Sequence, residues 1–318
     1  MDLELLSDIN TTATATAVGS FPTEMLEVGG VTYFTAETVA HGRELWQTDG
    51  TAAGTRIVRD IRPGGSGSSI DYLTQAGGRL FFAADDGVHG LELWTSDGTA
   101  AGTVLVRDIL PGTQGGLSSV FQAADVGGTL YFRADDGSTG FELWKSDGTE
   151  AGTARVVDLQ PGTNGSSPSL LTSHLGTLYF VATDGVSGNE LWTSDGSEAG
   201  TTLVKDILSG TGGSDPRRLT SLGSTLFFAA NDGTTGVELW SSDGSDLGTV
   251  LVKDISVGST GGLAATFDSL AALDGTLVFT ADDGTTGVDL WRSDGTELAT
   301  ELVREIRTGS DGAIRPFT

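Results

Sequence analysis

The sequence predicts an all-β chain with the architecture of a six-bladed β-propeller, four antiparallel strands to a blade. Three observations carry this. First, all six tryptophans (Trp46, Trp94, Trp144, Trp192, Trp240 and Trp291) stand in one phrase, Glu/Asp-Leu-Trp, two residues, then Asp-Gly. They follow one another at 48, 50, 48, 48 and 51 residues, and a fixed period of this length marks a repeat architecture. Second, each period holds four β-rich runs bounded by Gly, Asp and Asn clusters, with no stretch of helical periodicity to compete. Third, the two middle runs are bulky on both pleat faces, as in Leu226-Phe227-Phe228 and Leu239-Trp240. A sheet apolar on both faces needs a neighbour on each side, and stacked blades supply one.

The fifth period shows the elements in order. Arg218–Leu222 alternates and forms strand A, ended by Gly223-Ser224. Thr225–Ala230 forms strand B, Asn231–Gly236 a turn, and Val237–Trp240 strand C. Ser242–Ser245 turns again, and Thr249–Ile255 forms strand D. The same reading places blades at 20–62, 63–110, 111–160, 161–208, 209–256 and 257–307 of a single 1–318 propeller. Leu3–Ile9 reads like one more strand D (compare Leu251–Ile255), although the last blade has its own candidate in Glu301–Ile306. Residues 1–10 are therefore expected to join the last blade. They either replace its C-terminal strand or add a fifth; alternatively, the chain is cut from a longer array.

With 318 residues the chain is long enough for a large core. It has no cysteine, which removes disulfides, thiolate metal sites and thiol nucleophiles. No apolar run has the length of a membrane helix. The start, Met1-Asp-Leu-Glu-Leu-Leu, lacks the basic and apolar regions of a signal peptide. Forty-three acids against 17 Lys+Arg give a formal charge of −26. Such a surface repels nucleic acid and anionic lipid, so neither nucleic-acid binding nor membrane insertion is expected. It attracts divalent cations and basic partners, or serves simply as a well-solvated face.

Residues present in every unit are expected to build the unit. The six Asp-Gly pairs, from Asp49-Gly50 to Asp294-Gly295, fit C–D turns in which Gly takes positive φ and Asp accepts backbone N–H groups. Thr55, Thr103, Thr153, Thr201, Thr249 and Thr300, six residues after each Asp, are expected to start strand D. The tryptophans, on an inner strand, are expected to pack between blades rather than stack on sugars.

The B–C turns are chemically richer. They carry Asp85-Asp86 with Glu92, Asp135-Asp136 with Glu142, and Asp282-Asp283 with Asp289. A hairpin returns the later acid beside the pair, and three carboxylates with nearby carbonyls suit Ca²⁺. The competing reading has each Asp cap its own turn and the later acid pair elsewhere. The other blades have Glu37-Thr38, Thr183-Asp184 and Asn231-Asp232 there, and no established calcium-loop pattern matches. Strand A varies most between units. In a propeller it lines the central channel, which makes Asp71, Tyr72, Arg217 and Arg218 the candidates for a non-repeating ligand site. The D–A loops, such as Pro111–Leu117, share a face with the B–C turns, and such loop faces commonly bind.

Little points to catalysis. His41, His89 and His174 show no metal-ligand spacing, and no nucleophile-elbow motif accompanies them. Acid pairs suited to glycoside hydrolysis cannot be singled out among 43 acids.

The phrase Glu142-Leu-Trp-Lys-Ser-Asp-Gly-Thr149 resembles the bacterial ELWxxDGT repeat proteins, and all six units align with it. The sixth departs, with Asp289 for Glu and Ala299 for Gly. The resemblance implies a secreted or surface-attached bacterial protein with a propeller-like repeat, and it transfers no catalytic residue. The expectation is a non-catalytic extracellular binding or scaffold module for a protein or glycan ligand, with calcium at the acidic turns as a secondary feature. The rival is a carbohydrate-active enzyme, or a glycan-binding lectin, working at the channel mouth.

Overall fold

Short β-branched and aromatic runs separated by glycine turns fold as meanders, each strand pairing with the next. The computed structural model describes residues 19–118, 120–263 and 270–305. Among these it has twenty-four strands and no helix. The first sheet is β1 (Thr23–Val28), β2 (Val31–Thr38), β3 (Gly42–Thr48) and β4 (Arg56–Arg59). The second is β5 (Asp71–Ala76), β6 (Arg79–Asp85), β7 (Leu91–Ser96) and β8 (Val104–Leu105). The third is β9 (Ala123–Val126), β10 (Thr129–Asp135), β11 (Phe141–Ser146) and β12 (Ala154–Arg155). The fourth is β13 (Ser169–His174), β14 (Thr177–Thr183), β15 (Asn189–Ser194) and β16 (Thr202–Lys205). The fifth is β17 (Arg217–Leu222), β18 (Thr225–Asn231), β19 (Val237–Ser242) and β20 (Val250–Lys253). The sixth is β21 (Leu270–Leu273), β22 (Thr276–Asp282), β23 (Val288–Ser293) and β24 (Glu301–Arg304). Every sheet is antiparallel and runs in chain order. The fold class is that of a six-bladed β-propeller, each sheet one blade. Residues 1–10 and strand-D residue Ile306 lie outside the described residues.

The chain divides into two compact units, Met1–Ser167 and Pro168–Thr318, with three sheets in each. In the first unit β1 lies beside β5 and β5 beside β9; in the second β13 lies beside β17 and β17 beside β21. The first strands thus form the inner edge of each unit.

Pleat alternation explains how one strand serves two interfaces. In β6, Phe82 packs with Tyr33, Leu45, Val58 and Trp94 between the first and second sheets. Its neighbour Phe81 packs with Leu93, Val106, Phe132 and Trp144 between the second and third. In β18, Phe228 joins Tyr179, Leu191 and Trp240, while Phe227 joins Leu239, Phe279 and Trp291. Each fully buried Phe stabilises by about 1.5–3 kcal/mol relative to exposure. Strands B and C place the same aromatic pair directly opposite in register in every sheet: Phe34 with Trp46, Phe82 with Trp94, Phe132 with Trp144, Phe180 with Trp192, Phe228 with Trp240 and Phe279 with Trp291.

The Asp-Gly turn is a closed polar knot. Asp97 Oδ1 accepts the Thr99 N–H at 2.9 Å and its hydroxyl at 2.7 Å. Thr99 Oγ1 in turn accepts the Gly102 N–H at 2.9 Å, and Thr103 Oγ1 donates to the Thr99 carbonyl at 2.7 Å. Ser96 and Thr103 hydroxyls meet at 2.7 Å, and Gly98 N–H donates to Ser96 Oγ at 3.0 Å. The threonine expected to open strand D sits one residue earlier, as Thr103 before Val104 shows. Its hydroxyl is tied into the knot, so it closes the turn instead of pairing in the ladder.

Candidate functional site

The acid before Leu-Trp points inward. Glu44, Glu92, Glu142, Glu190 and Glu238 are fully buried. Each carboxylate accepts N–H groups from the loop that leads to the next blade. Glu92 Oε1 takes the Leu110 N–H at 2.9 Å and the Gly116 N–H at 2.8 Å. Glu44 takes Ile61 N–H at 3.1 Å, Arg62 N–H at 3.2 Å and the Ser68 hydroxyl at 2.8 Å. Glu142 holds Ser166 N–H at 2.8 Å and the Ser166 hydroxyl; Glu190 holds Ser214 N–H at 2.8 Å and its hydroxyl at 2.5 Å. Glu238 holds Ser256 N–H at 3.1 Å and Gly262 N–H at 2.7 Å. Burial disfavours the charged form. It raises Glu44, Glu92 and Glu238 to about 7 against the pull of these hydrogen bonds. Glu142 and Glu190 are raised for the same reason.

The triads read at the B–C turns therefore separate. Glu92 and Glu142 serve their loops, and Asp289 is fully buried with no partner among the described residues. The Asp pairs serve the turns themselves. Asp85 accepts the Gly87 N–H at 2.7 Å and the Arg62 guanidinium at 2.8 Å. Asp86 accepts the Val88 and His89 N–H groups, both at 2.9 Å, and meets His89 Nδ1 at 2.8 Å. That contact with Asp86 is the main cause of a raised His89 pKa. Asp135 accepts Gly137 N–H at 2.7 Å, and Asp136 accepts Ser138 N–H at 2.9 Å and lies 3.6 Å from Arg155. Asp282 accepts Gly284 N–H, and Asp283 accepts Thr285 and Thr286 N–H, all at 2.8 Å. Among the described residues no three His, Asp or Glu side chains stand together in a group that could hold a metal ion.

Of the inner-strand candidates, Asp71 and Tyr72 lie on β5 of the first unit, and Arg217 and Arg218 on β17 of the second. Strand A breaks register at one point in four sheets, between Thr23/Leu26, Asp71/Thr74, Ser169/Thr172 and Arg217/Thr220. Within each break a non-glycine residue takes positive φ: Glu24 (57°), Tyr72 (60°), Leu170 (53°) and Arg218 (59°). This is a β-bulge, which kinks the inner strand and re-aims its side chains. The Tyr72 ring packs on Phe121 at 5.9 Å, and Asp71 Oδ1 accepts the Tyr72 N–H at 3.0 Å. Glu24 bridges inner strands by accepting the Leu73 N–H at 3.1 Å.

The histidines are engaged separately. His41 Nδ1 meets Asp60 at 2.8 Å. His174 is buried; its Nδ1 meets Ser221 Oγ at 2.6 Å and its ring meets Tyr179 edge-on at 5.8 Å. No carboxylate orients His174 among the described residues, so the pair lacks the third member that activates a serine.

One feature escaped the sequence reading. A cleft of about 470 Å³ opens between the first and second sheets, lined by Val28, Val31, Tyr33, Arg79, Ser96 and Asp97. The A–B turn of the first blade borders it at Gly29. Nothing lies within 4 Å of a Cβ placed on Gly29 or Gly30, whereas one on Gly77 would meet Gly128 O of the third sheet at 2.6 Å. The A–B turns close on each other between the second and third sheets and stand apart between the first and second.

No protein-family model matches the sequence, and no curated protein sequence matches it. Among solved structures the chain is similar to a puromycin hydrolase (17% identity, TM-score 0.45, covering 89% of this chain and 46% of that one). It is also similar to prolyl oligopeptidase B from Galerina marginata (11%, TM-score 0.49, 91% and 42%) and to TolB from Acinetobacter baumannii (11%, TM-score 0.40, 85% and 63%). The chain thus spans about half the length of these proteins, and the likenesses assign it no activity.

Proposed function

We propose that this chain is a non-catalytic binding or scaffold module that works outside the cell or at its surface. One observation carries the reading: in the first five blades the repeated acid before Leu-Trp, and in every blade the hydroxyls of the Asp-Gly turn, are consumed in building the blade. Glu92 holds its loop, Asp97 and Thr103 close their turn, and Asp86 caps the B–C turn. The part free to differ between blades is the bulged inner strand and the loop faces, the regions where a rigid scaffold carries recognition. The excess of acid over base and the likeness to surface-attached repeat proteins support an extracellular setting. The test is twofold. The native protein, expressed from its full-length gene in its own host, should fractionate with the medium or the cell surface. The purified chain should turn over no member of a polysaccharide, ester and peptide panel. Turnover abolished by changing one inner-strand acid such as Asp71 would replace the module with the carbohydrate-active enzyme.

A further inference from the structure

We infer that one end of the second unit, built by its A–B and C–D turns, docks a cationic amphipathic polypeptide segment; this rests on the binding-module reading and gives it a partner class. In an antiparallel meander these two turns lie at the same end of the sheet. Contacts between neighbouring sheets show that the ends coincide. A Cβ on Gly244, in the C–D turn of the fifth sheet, would run into the Tyr179 hydroxyl of the fourth, and one on Gly295 of the sixth would meet Phe227 of the fifth at 2.8 Å. His174 Nδ1 and Ser221 Oγ, near the ends of two inner strands, meet at 2.6 Å. This end carries exposed leucines. Leu247 is 91% and Leu298 95% exposed, at the turn position that holds Ala53, Ala101, Ala151 and Ala199 in the first four sheets. Leu175 is 72% and Leu273 60% exposed.

Leu175 is the sharpest case. It opens the A–B turn of the fourth sheet at a φ of 51°, where Gly29, Gly77, Gly127 and Gly223 open the turn in four others. A leucine is strained in this left-handed conformation and a glycine is not. The fold neither requires the side chain nor buries it. Large apolar side chains that stabilise nothing at home, gathered on one face, mark a contact surface. The feature is particular to the second unit: the turns of the first at 29–30, 49–55, 77–78, 97–103, 127–128 and 147–153 contain no leucine. Charge then selects the partner. The turns of the second unit at 175–176, 195–201, 223–224, 243–249, 274–275 and 294–300 hold seven acids and no Lys or Arg. Two lysines reach this end from strand D, Lys205 to the Asp246 carbonyl at 3.0 Å and Lys253 to the Thr300 carbonyl at 2.7 Å. Leucines set among acids repel nucleic acid and anionic lipid and attract basic groups. A segment that alternates apolar and basic side chains answers both features at once.

Fluorescence anisotropy on the whole chain tests this with three labelled synthetic peptides of equal length. One sets leucine and lysine in amphipathic order, one replaces its leucines by serine, and one replaces its lysines by glutamate. At physiological ionic strength the leucine–lysine peptide should bind about tenfold or more tightly than either control. Leu175→Gly, Leu247→Ala and Leu298→Ala together install residues that other blades carry, so the variant should keep or raise the melting temperature. It should bind the leucine–lysine peptide about tenfold more weakly and the serine–lysine peptide as before. If the combined variant melts lower, Leu298→Ala alone makes the same comparison at a side chain that packs on nothing. Equal affinity for the leucine–lysine and serine–lysine peptides means that charge alone acts, and overturns the proposal. An affinity that the leucine variants leave unchanged also overturns it. So does binding to phosphatidylcholine vesicles that the variants abolish, which would make the occupant a lipid surface. Each of these leaves the binding-module reading standing, because that reading fails only on turnover or on location inside the cell.

Discussion

The Arg59 guanidinium, on β4 of the first sheet, lies 5.8 Å from the centre of the Trp94 ring in the second and donates to the Thr103 carbonyl at 2.5 Å. Arg107 repeats this on Trp144 (5.8 Å) and Thr153 O (2.7 Å), and Lys253 on Trp291 (6.0 Å) and Thr300 O (2.7 Å). In these three places a basic residue in strand D or just past its end thus latches the next blade, with that blade's tryptophan as its receptor; Lys205 instead reaches Asp246, with Nζ 3.0 Å from its carbonyl. In the third blade the same position, four residues after Thr153, holds Val157; Arg155, two residues earlier, turns to Thr139 Oγ1 at 2.8 Å in its own sheet.

The latch predicts unequal costs for equal chemistry. A cation–π contact contributes about 0.5–2 kcal/mol and a hydrogen bond from a charged group about 1.5–3 kcal/mol. Arg107→Met should therefore lower unfolding free energy by about 2 kcal/mol, and Arg155→Met by no more than about 1 kcal/mol, as expected of a surface ion pair. Denaturant titration of both variants checks this. Equal losses would mean that the latch adds nothing beyond a surface contact.

The buried glutamates set the pH dependence. An unfolded glutamate titrates near 4.3, whereas Glu44, Glu92 and Glu238 titrate at about 7 in the fold. Between those values the folded chain holds protons that the unfolded chain has released, so stability falls as pH rises through this window. The exposed turn aspartates act oppositely. Asp97 and Asp147 are held low, mainly by the Thr99 and Thr149 hydroxyls. Their contribution is present above about pH 4 and is lost as pH falls through their folded values. Melting temperature should peak near pH 5 and decline steadily to pH 8; a plateau from 5 to 8 would contradict buried, titrating glutamates.

A sharper form uses the glutamates one at a time. Glu92 Oε2 and Glu238 Oε2 are buried without a hydrogen-bond partner among the described residues, because Gly116 and Gly262 replace the serine whose hydroxyl serves Glu44, Glu142 and Glu190. Glu92→Gln keeps the acceptor for Leu110 and Gly116, puts its amide where no donor is displaced, and removes a charge that burial opposes. It should be neutral or stabilising at pH 8. Glu190→Gln sets an amide against the Ser214 hydroxyl or N–H and should cost about 1–3 kcal/mol. Thermal melts of the two variants at pH 8 decide the matter, and a reversed order would refute this account of the loop clamp.

These residues also show what the sequence could and could not disclose. The period, the meander and the Asp-Gly turns were legible because each depends on neighbours a few residues apart. The destination of Glu92 was not. The hairpin sets Glu92 opposite Ala84, one position from Asp85, which invited a shared site, yet its carboxylate binds a loop residue 24 positions later. A signal did exist in the Ser or Gly at that spacing: Ser68, Gly116, Ser166, Ser214 and Gly262. The bulges at Tyr72 and Arg218 left no glycine to announce them, and the cleft depends on how two blades pack, which no local spacing records.

Calcium is a direct check on the acidic turns. Their carboxylates accept N–H groups at 2.7–2.9 Å in the pairs Asp85-Asp86 and Asp135-Asp136, and a metal would have to displace those donors. Saturating calcium at fixed ionic strength should shift the melting temperature by less than about 2 °C. A rise of several degrees, reversed by chelator, would follow from binding linked to folding and would place ions on these turns.

Two glycines separate backbone strain from packing. Gly50 and Gly98 occupy the same turn position with the same φ of 85°. A Cβ on Gly50 would meet nothing within 4 Å, whereas one on Gly98 would collide with the Tyr33 hydroxyl of the first sheet. Gly50→Ala should cost only the left-handed backbone term, about 1–2 kcal/mol. Gly98→Ala should cost that plus about 1–3 kcal/mol of overpacking, and Tyr33→Phe should relieve the excess by removing the colliding oxygen. The double variant is the informative measurement: if Gly98→Ala is no worse than Gly50→Ala, or if Tyr33→Phe returns nothing, the blades slide to make room and the interface is softer than its close contacts imply.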